Sequence, residues 1–264
     1  MPIIKTDGGF IYKKTAKNAG FGRAKFLLII FLCSIVVATG CLYLFPQLNI
    51  ASFLRLNRYV IFDAKTYYIV YVDRGENYND ISDVAQSIKL KGGAGYVLNF
   101  DNNYYVVAGC YSILEDANAV KENLISYNTD VLCLNFDRLI ISADFSSEQI
   151  TTLKHCISLV NSAFENLYDV VLSLDRGEIL DAEARQKLQV FKELCLEDKE
   201  TLNRVFQNNF ENIVTRVKIF QSEVISNYSM LLLSKNLSSD IKYSMASILN
   251  SFLILQNSIK KWFL

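Results

Sequence analysis

The chain has 264 residues, 51% of them hydrophobic and 20% charged, and its 27 basic side chains balance 27 acidic ones. A net charge of zero offers no basic stripe to a phosphate backbone, so no nucleic acid is expected as a partner. Six cysteines without a C-x-x-C pair and a single histidine exclude the common zinc modules.

The apolar excess is local. Residues 26–45, FLLIIFLCSIVVATGCLYLF, carry no charge, and 20 residues at ~1.5 Å rise each match the ~30 Å hydrocarbon core of a bilayer. Lys5, Lys13, Lys14, Lys17, Arg23 and Lys25 precede this run against one acid, Asp7. That cationic excess puts the N-terminus in the cytoplasm and everything after the run outside. Pro46 stops the helix, because it lacks a backbone donor. Ala38-Thr39-Gly40-Cys41 also has the form of a bacterial lipobox, so a lipid on Cys41 stays open as the other anchor. The expected location is the cytoplasmic membrane, single-pass, with the C-terminal portion extracytoplasmic. Five parts are expected: a basic cytoplasmic tail (1–25), a transmembrane helix (26–45), a linker (46–64), a small domain (65–140) and a helical region (145–264).

In the small domain, TYYIVYV from Thr66 to Val72 is aromatic and β-branched, which suits a strand. Ile81, Val84, Ala85 and Ile88 recur at helical spacing, and Gly92, Gly93 and Gly95 end that helix. Tyr96 to Phe100 and Tyr104 to Cys110 are two strands joined by Asp101-Asn102-Asn103, which is hairpin chemistry. Ser112 and Glu115 have the spacing of a capping box for a second helix. Thr129 to Phe136 completes a β-α-β-β-α-β order, the split βαβ arrangement of a ferredoxin-like sheet.

The stretch NYYVVAGCYS, Asn103 to Ser112, followed by Asp116-Ala117 and a helix, resembles the second half of a SPOR domain, a small envelope module that binds peptidoglycan. Gly109, Cys110, Tyr111 and Ser112 fill the places of the family's glycine, small residue, aromatic and serine. The first half departs from the pattern, since Val72-Asp73-Arg74 stands where Gly, Ser and Phe are expected. The resemblance covers under a third of the chain. It implies that the open face of the sheet grips peptidoglycan glycan strands, in cell division or sporulation. Taking Ile69 and Tyr71 as pointing toward the helices, strand alternation turns Tyr68, Val70 and Val72 outward, joined by Tyr105 and Val107. Tyr68, Val70, Tyr105 and Val107 are therefore the candidate glycan-binding residues. Tyrosines can stack on a sugar and hydrogen-bond to it, whereas valines do neither. Three readings of so apolar a face stay open: a glycan site, a protein-binding site, or a surface covered by the C-terminal helices.

The helical region is regular. Ile150, Leu153, Ile157, Val160, Phe164, Leu167, Val171 and Leu174 step by three and four, with Ser146 and Gln149 as a capping box and Gly177 as the stop. Phe206 to Val224 and Ile241 to Ile259 repeat the pattern, a coiled-coil-like seam. Either a closed bundle or a dimerising, partner-binding tail fits, so a homo-oligomer or an envelope protein partner is expected through it. The expected fold class is thus α+β: an N-terminal transmembrane helix, a small split βαβ (ferredoxin-like, βαββαβ) SPOR-like domain, then an all-α helical bundle or coiled-coil tail.

No catalytic constellation stands out. His155 has no second histidine, and its neighbour Cys156 faces another direction on a helix. Gly92-Gly93-Ala94-Gly95 lacks the lysine and serine of a phosphate-binding loop. Cys110 with Cys133 is the first candidate for a disulfide, and buried free thiols are the preferred alternative. No enzyme, cofactor or metal is expected. The function implied is a membrane-anchored envelope protein binding glycan, with a non-enzymatic structural or interaction protein as the alternative.

Overall fold

A computed structural model describes residues 59–124, 127–142, 145–207 and 212–260. The basic tail expected to be cytoplasmic, the apolar run 26–45 expected to be a transmembrane helix and most of the expected linker lie outside the described residues. Residues Asn57–Leu264 belong to one compact unit.

The first strand, β1 (Tyr59–Phe62), falls within the expected linker. It pairs antiparallel with β6 (Leu139–Ser142), Val60 against Ile141, so a two-stranded sheet joins the two ends of the small domain. Between them run β2 (Lys65–Gly75), α1 (Tyr78–Leu90), β3 (Tyr96–Phe100), β4 (Asn103–Tyr111), α2 (Leu114–Asn123) and β5 (Asp130–Phe136). These four strands make a second sheet in the order β3-β4-β2-β5, with every neighbouring pair antiparallel.

Local chemistry accounts for the corners. Asp101 and Asn102 both take positive φ, 50° and 61°, as a two-residue type I′ hairpin turn requires. Gly95 has φ +59°, and a Cβ there would stand 2.4 Å from the Ala85 carbonyl, so the close return from α1 into β3 needs glycine. The capping box expected at Ser112 and Glu115 does not form. Strand β4 runs on to Tyr111, and α2 starts only at Leu114 with Ile113 in the N-cap position.

Four long helices follow: α3 (Ser147–Asp175), α4 (Asp181–Val205), α5 (Asn212–Leu232) and α6 (Leu237–Lys260). Helix α3 opens on a capping box, in which Ser146 Oγ accepts from the Gln149 amide at 3.2 Å and Gln149 Oε1 accepts from the Ser146 amide at 2.9 Å. Each helix packs on the next, and α6 closes back on α3. Arg185 at the start of α4 donates to the carbonyls of Leu231, Leu232 and Ser234 at 3.0, 2.7 and 2.6 Å. Those are carbonyls at the end of α5, which no further helical turn would satisfy.

The bundle is not a separate tail. Ile241, Met245, Ile248, Phe252, Leu255 and Ile259 of α6 share one continuous core with Tyr67, Ile69, Leu98, Leu134 and Phe136 of the sheet. Ring centroids lie 4.7 Å apart for Phe136–Phe252 and 4.5 Å for Tyr67–Phe164. Polar bonds fasten the same contact: Asn250 Nδ2 donates to Tyr96 Oη at 3.0 Å, and Gln256 Nε2 to the Asp137 carbonyl at 2.7 Å.

The fold class is corrected accordingly. The described residues are α+β with six helices and two sheets, and among them no helix is long and apolar enough to cross a membrane. The coiled-coil-like seam is a core stripe that abuts the sheet and the other helices.

Candidate functional site

The four-stranded sheet is covered on both faces. One face carries Val72, Val97, Val106 and Ala108 against Ile81, Ala85 and Ile88 of α1. The other carries Ile69, Tyr71, Tyr105 and Val107 against the bundle. Strand β2 is therefore sandwiched, which explains its nearly unbroken apolar run.

This arrangement divides the four candidate glycan residues. Tyr105 and Val107 lie on the bundle face, 8% and 0% exposed. Val70 is also 0% exposed, and alternation from Ile69 directs it to the α1/α2 face together with the half-buried Tyr68. The assumption that Ile69 and Tyr71 point at α1 and α2 was the source of the difference, because they point at the bundle instead. With helices on both sides, period-two alternation cannot say which helices a given face meets. Val70 and Val107 are thus fully buried in this arrangement, and Tyr105 is nearly so.

The cysteines are free thiols among the described residues. Cys110 pairs with Ile69 and Cys133 with Tyr68, on opposite sides of β2. Two ladder spacings separate them by about 10 Å, beyond the ~7 Å limit for a disulfide. That candidate bridge is therefore corrected.

Within the bundle, sequence reading missed a buried carboxylate. Asp198 Oδ1 meets His155 Nδ1 at 2.8 Å, while Asp198 Oδ2 and Gln221 Oε1 have no hydrogen-bond partner among the described residues. Asp198 occupies a core position of α4, in line with Ala184, Leu188, Phe191, Cys195 and Leu202. A charged residue in an apolar seam was the available signal, but its partner lies 43 residues away. Cys156 and Cys195 stand near this charge. Burial first, and then Asp198, pushes both thiols up to about 12. Neither is a thiolate at neutral pH, so this cluster lacks an activated nucleophile. Among the described residues no three His, Cys, Asp or Glu side chains could hold a metal ion.

Open grooves are found among the described residues. One of about 420 Å³ lies between α1, β3 and α6, where Tyr78, Tyr96 and Tyr243 stand beside Ser82, Gln86 and Lys89. Another, of about 600 Å³, lies between α3 and α4. No family model, curated protein or solved structure matches the chain. None of these comparisons identifies a SPOR domain, and that likeness rests on the sequence pattern, clearest from Asn103 to Ser112 with Asp116-Ala117 after it.

Proposed function

We propose that the chain is a non-enzymatic interaction protein of the cell envelope, attached to the membrane through its uncharged stretch 26–45. The observation that carries this reading is the burial of the sheet's second face under α3 and α6. A module that uses its own bundle to occupy that face has spent its broad apolar surface on folding. Its outer helix faces are then what it presents to other proteins. Those faces still carry exposed apolar side chains, among them Val190, Leu194 and Met230.

A second reading, glycan binding, is favoured by the groove at Tyr78, Tyr96 and Tyr243. Its rings and its amide, hydroxyl and ammonium groups are the chemistry that holds sugars. Cosedimentation of the detergent-solubilised full chain with purified sacculi, with and without amidase treatment, separates the two. The interaction reading expects the chain in the supernatant from both preparations. Retention on either preparation that Tyr78→Ala abolishes would replace it with the glycan reading.

A further inference from the structure

Helix α4 carries an apolar seam and a second stripe that is apolar at its centre and charged toward its ends. The first, Ala184, Leu188, Phe191, Cys195 and Leu202, enters its own core. The second runs parallel to it on the solvent side, Glu183, Lys187, Val190, Leu194 and Glu197, again stepping by four and three. Val190 is 54% and Leu194 47% exposed, and the three charged members are exposed as well. Among the described residues this apolar pair is left about half exposed. Beside it the groove between α3 and α4 is floored by Val170 and Phe191 and rimmed by Asn166 and Asp169.

We infer that this second seam is a dimerisation surface whose occupant is the same helix of a second copy, running antiparallel. The seam complements itself. With a two-fold axis level with Lys192, Val190 faces the partner's Leu194 and Lys187 faces the partner's Glu197, and symmetry makes each contact twice. A parallel pairing would instead set Lys187 against the partner's Lys187 and Glu197 against the partner's Glu197. Sliding the antiparallel pair two turns toward the C-terminus would bring Lys187 opposite the partner's Arg204. Charge thus selects both direction and register, while the valine–leucine pairs exclude water. The monomer already holds Lys187 near Glu183, at 3.7 Å, so its ammonium lies on the correct side of the helix.

A single helix pair is smaller than the roughly 1,200–2,000 Å² typical of stable complexes. The dimer is therefore weak and reversible in solution, and confinement to one membrane raises its occupancy. This inference rests on the interaction reading above and gives it a specific partner.

Sedimentation velocity of the full chain in detergent, across a concentration series, tests it. The wild type shifts from one to two chains per particle as concentration rises. Lys187→Glu and Glu197→Lys each weaken that shift at least tenfold, by setting like charges opposite one another. The double variant restores it, which no folding defect could do. A single chain at every concentration, a dimer indifferent to both reversals, or a double variant no better than the singles would overturn the inference. Should the chain stay monomeric and also ignore sacculi, this surface is refuted while the interaction reading stands. A charge-sensitive dimer that sediments with sacculi leaves this surface standing and overturns that reading.

Discussion

The two faces of the four-stranded sheet are covered on different scales. On one side α1, of 13 residues, seals a small cluster centred on Val72, Ile81, Ile88 and Val106. On the other, α3 and α6, of 29 and 24 residues, bury Tyr67, Ile69, Leu134 and Phe136 in a core that continues through the whole bundle. The first face is assembled from neighbours in sequence. The second needs residues more than a hundred positions apart, as in the Phe136–Phe252 contact. A sheet sealed only on its local side would have left an apolar face for a ligand, whereas the distant helices turn that face into interior.

The largest test of this contrast is Phe252→Ala. Phe252 packs on Phe136 and Phe220, with centroids 4.7 and 5.9 Å away. Truncating such a buried ring costs about 3–5 kcal/mol. Because it joins sheet and bundle, denaturant unfolding followed by tyrosine fluorescence and by helical circular dichroism should shift together. Separate midpoints, with the sheet signal unmoved, would mean that the bundle is an independent tail after all. Ile81→Ala probes the local face, and a loss of about 2–4 kcal/mol is expected for a buried isoleucine. It should loosen α1 first, seen as faster amide exchange over residues 81–90 than in α6. Equal acceleration in both would erase the distinction between the faces.

How much of this was readable beforehand follows the same division. The elements of the small domain could be placed from local signals: the aromatic β-branched run of β2, the Asp101-Asn102 turn, and the spacing of Ile81, Ala85 and Ile88. Capping at Ser146 was equally local. What escaped was the destination of each face. Nothing in Tyr67-Tyr68-Ile69-Val70-Tyr71 states that a helix 180 residues downstream will cover alternate side chains. Strand β1 escaped for the same reason, since four residues acquire strand character only from pairing with β6. In the candidate site, Tyr68 and Tyr105 are of a residue type that can stack on sugars, but accessibility is a property of the tertiary fold. The second seam of α4 was hidden by the first, because the spacing of a helix with two stripes is satisfied by either.

A pH series sharpens the comparison from inside the bundle. In the folded chain Cys156 and Cys195 titrate at about 12, pushed up by burial and then by Asp198, whereas an unfolded thiol titrates near about 8.5. Below that lower value both states keep the proton, and the thiols' contribution is fully present. As pH rises above it the unfolded chain loses protons that the folded one retains. Stability then falls by up to about 1.4 kcal/mol per thiol per pH unit until the folded value is reached. Melting temperatures between pH 8 and 10 should decline, and less steeply in Cys195→Ala. An identical slope in that variant would show that Cys195 does not stay protonated in the core. Cys133, exposed on β5, should meanwhile react with a maleimide at pH 7.5 while Cys110, Cys156 and Cys195 do not.

The smallest effect lies where the two layers meet. Tyr168 of α3, on the bundle side, donates its phenolic proton to Asp116 Oδ2 of α2 at 2.6 Å, and its ring stands edge-on to Tyr111, 6.3 Å away. Burial, and then the Asp116 carboxylate, raises the Tyr168 phenol above its usual range, so it remains a donor at any physiological pH. The bond clasps a long-range helix to a local one around the sheet. Tyr168→Phe keeps the ring and removes only the donor, and because Asp116 is exposed and can turn to water, the loss should be about 1 kcal/mol. Asp116→Asn keeps an acceptor for the phenol and should lose less. If Tyr168→Phe were neutral while Tyr168→Ala cost several kcal/mol, ring packing alone would hold the layers together. The two faces would then be joined by the shape of the core, with the hydrogen bond as a passenger.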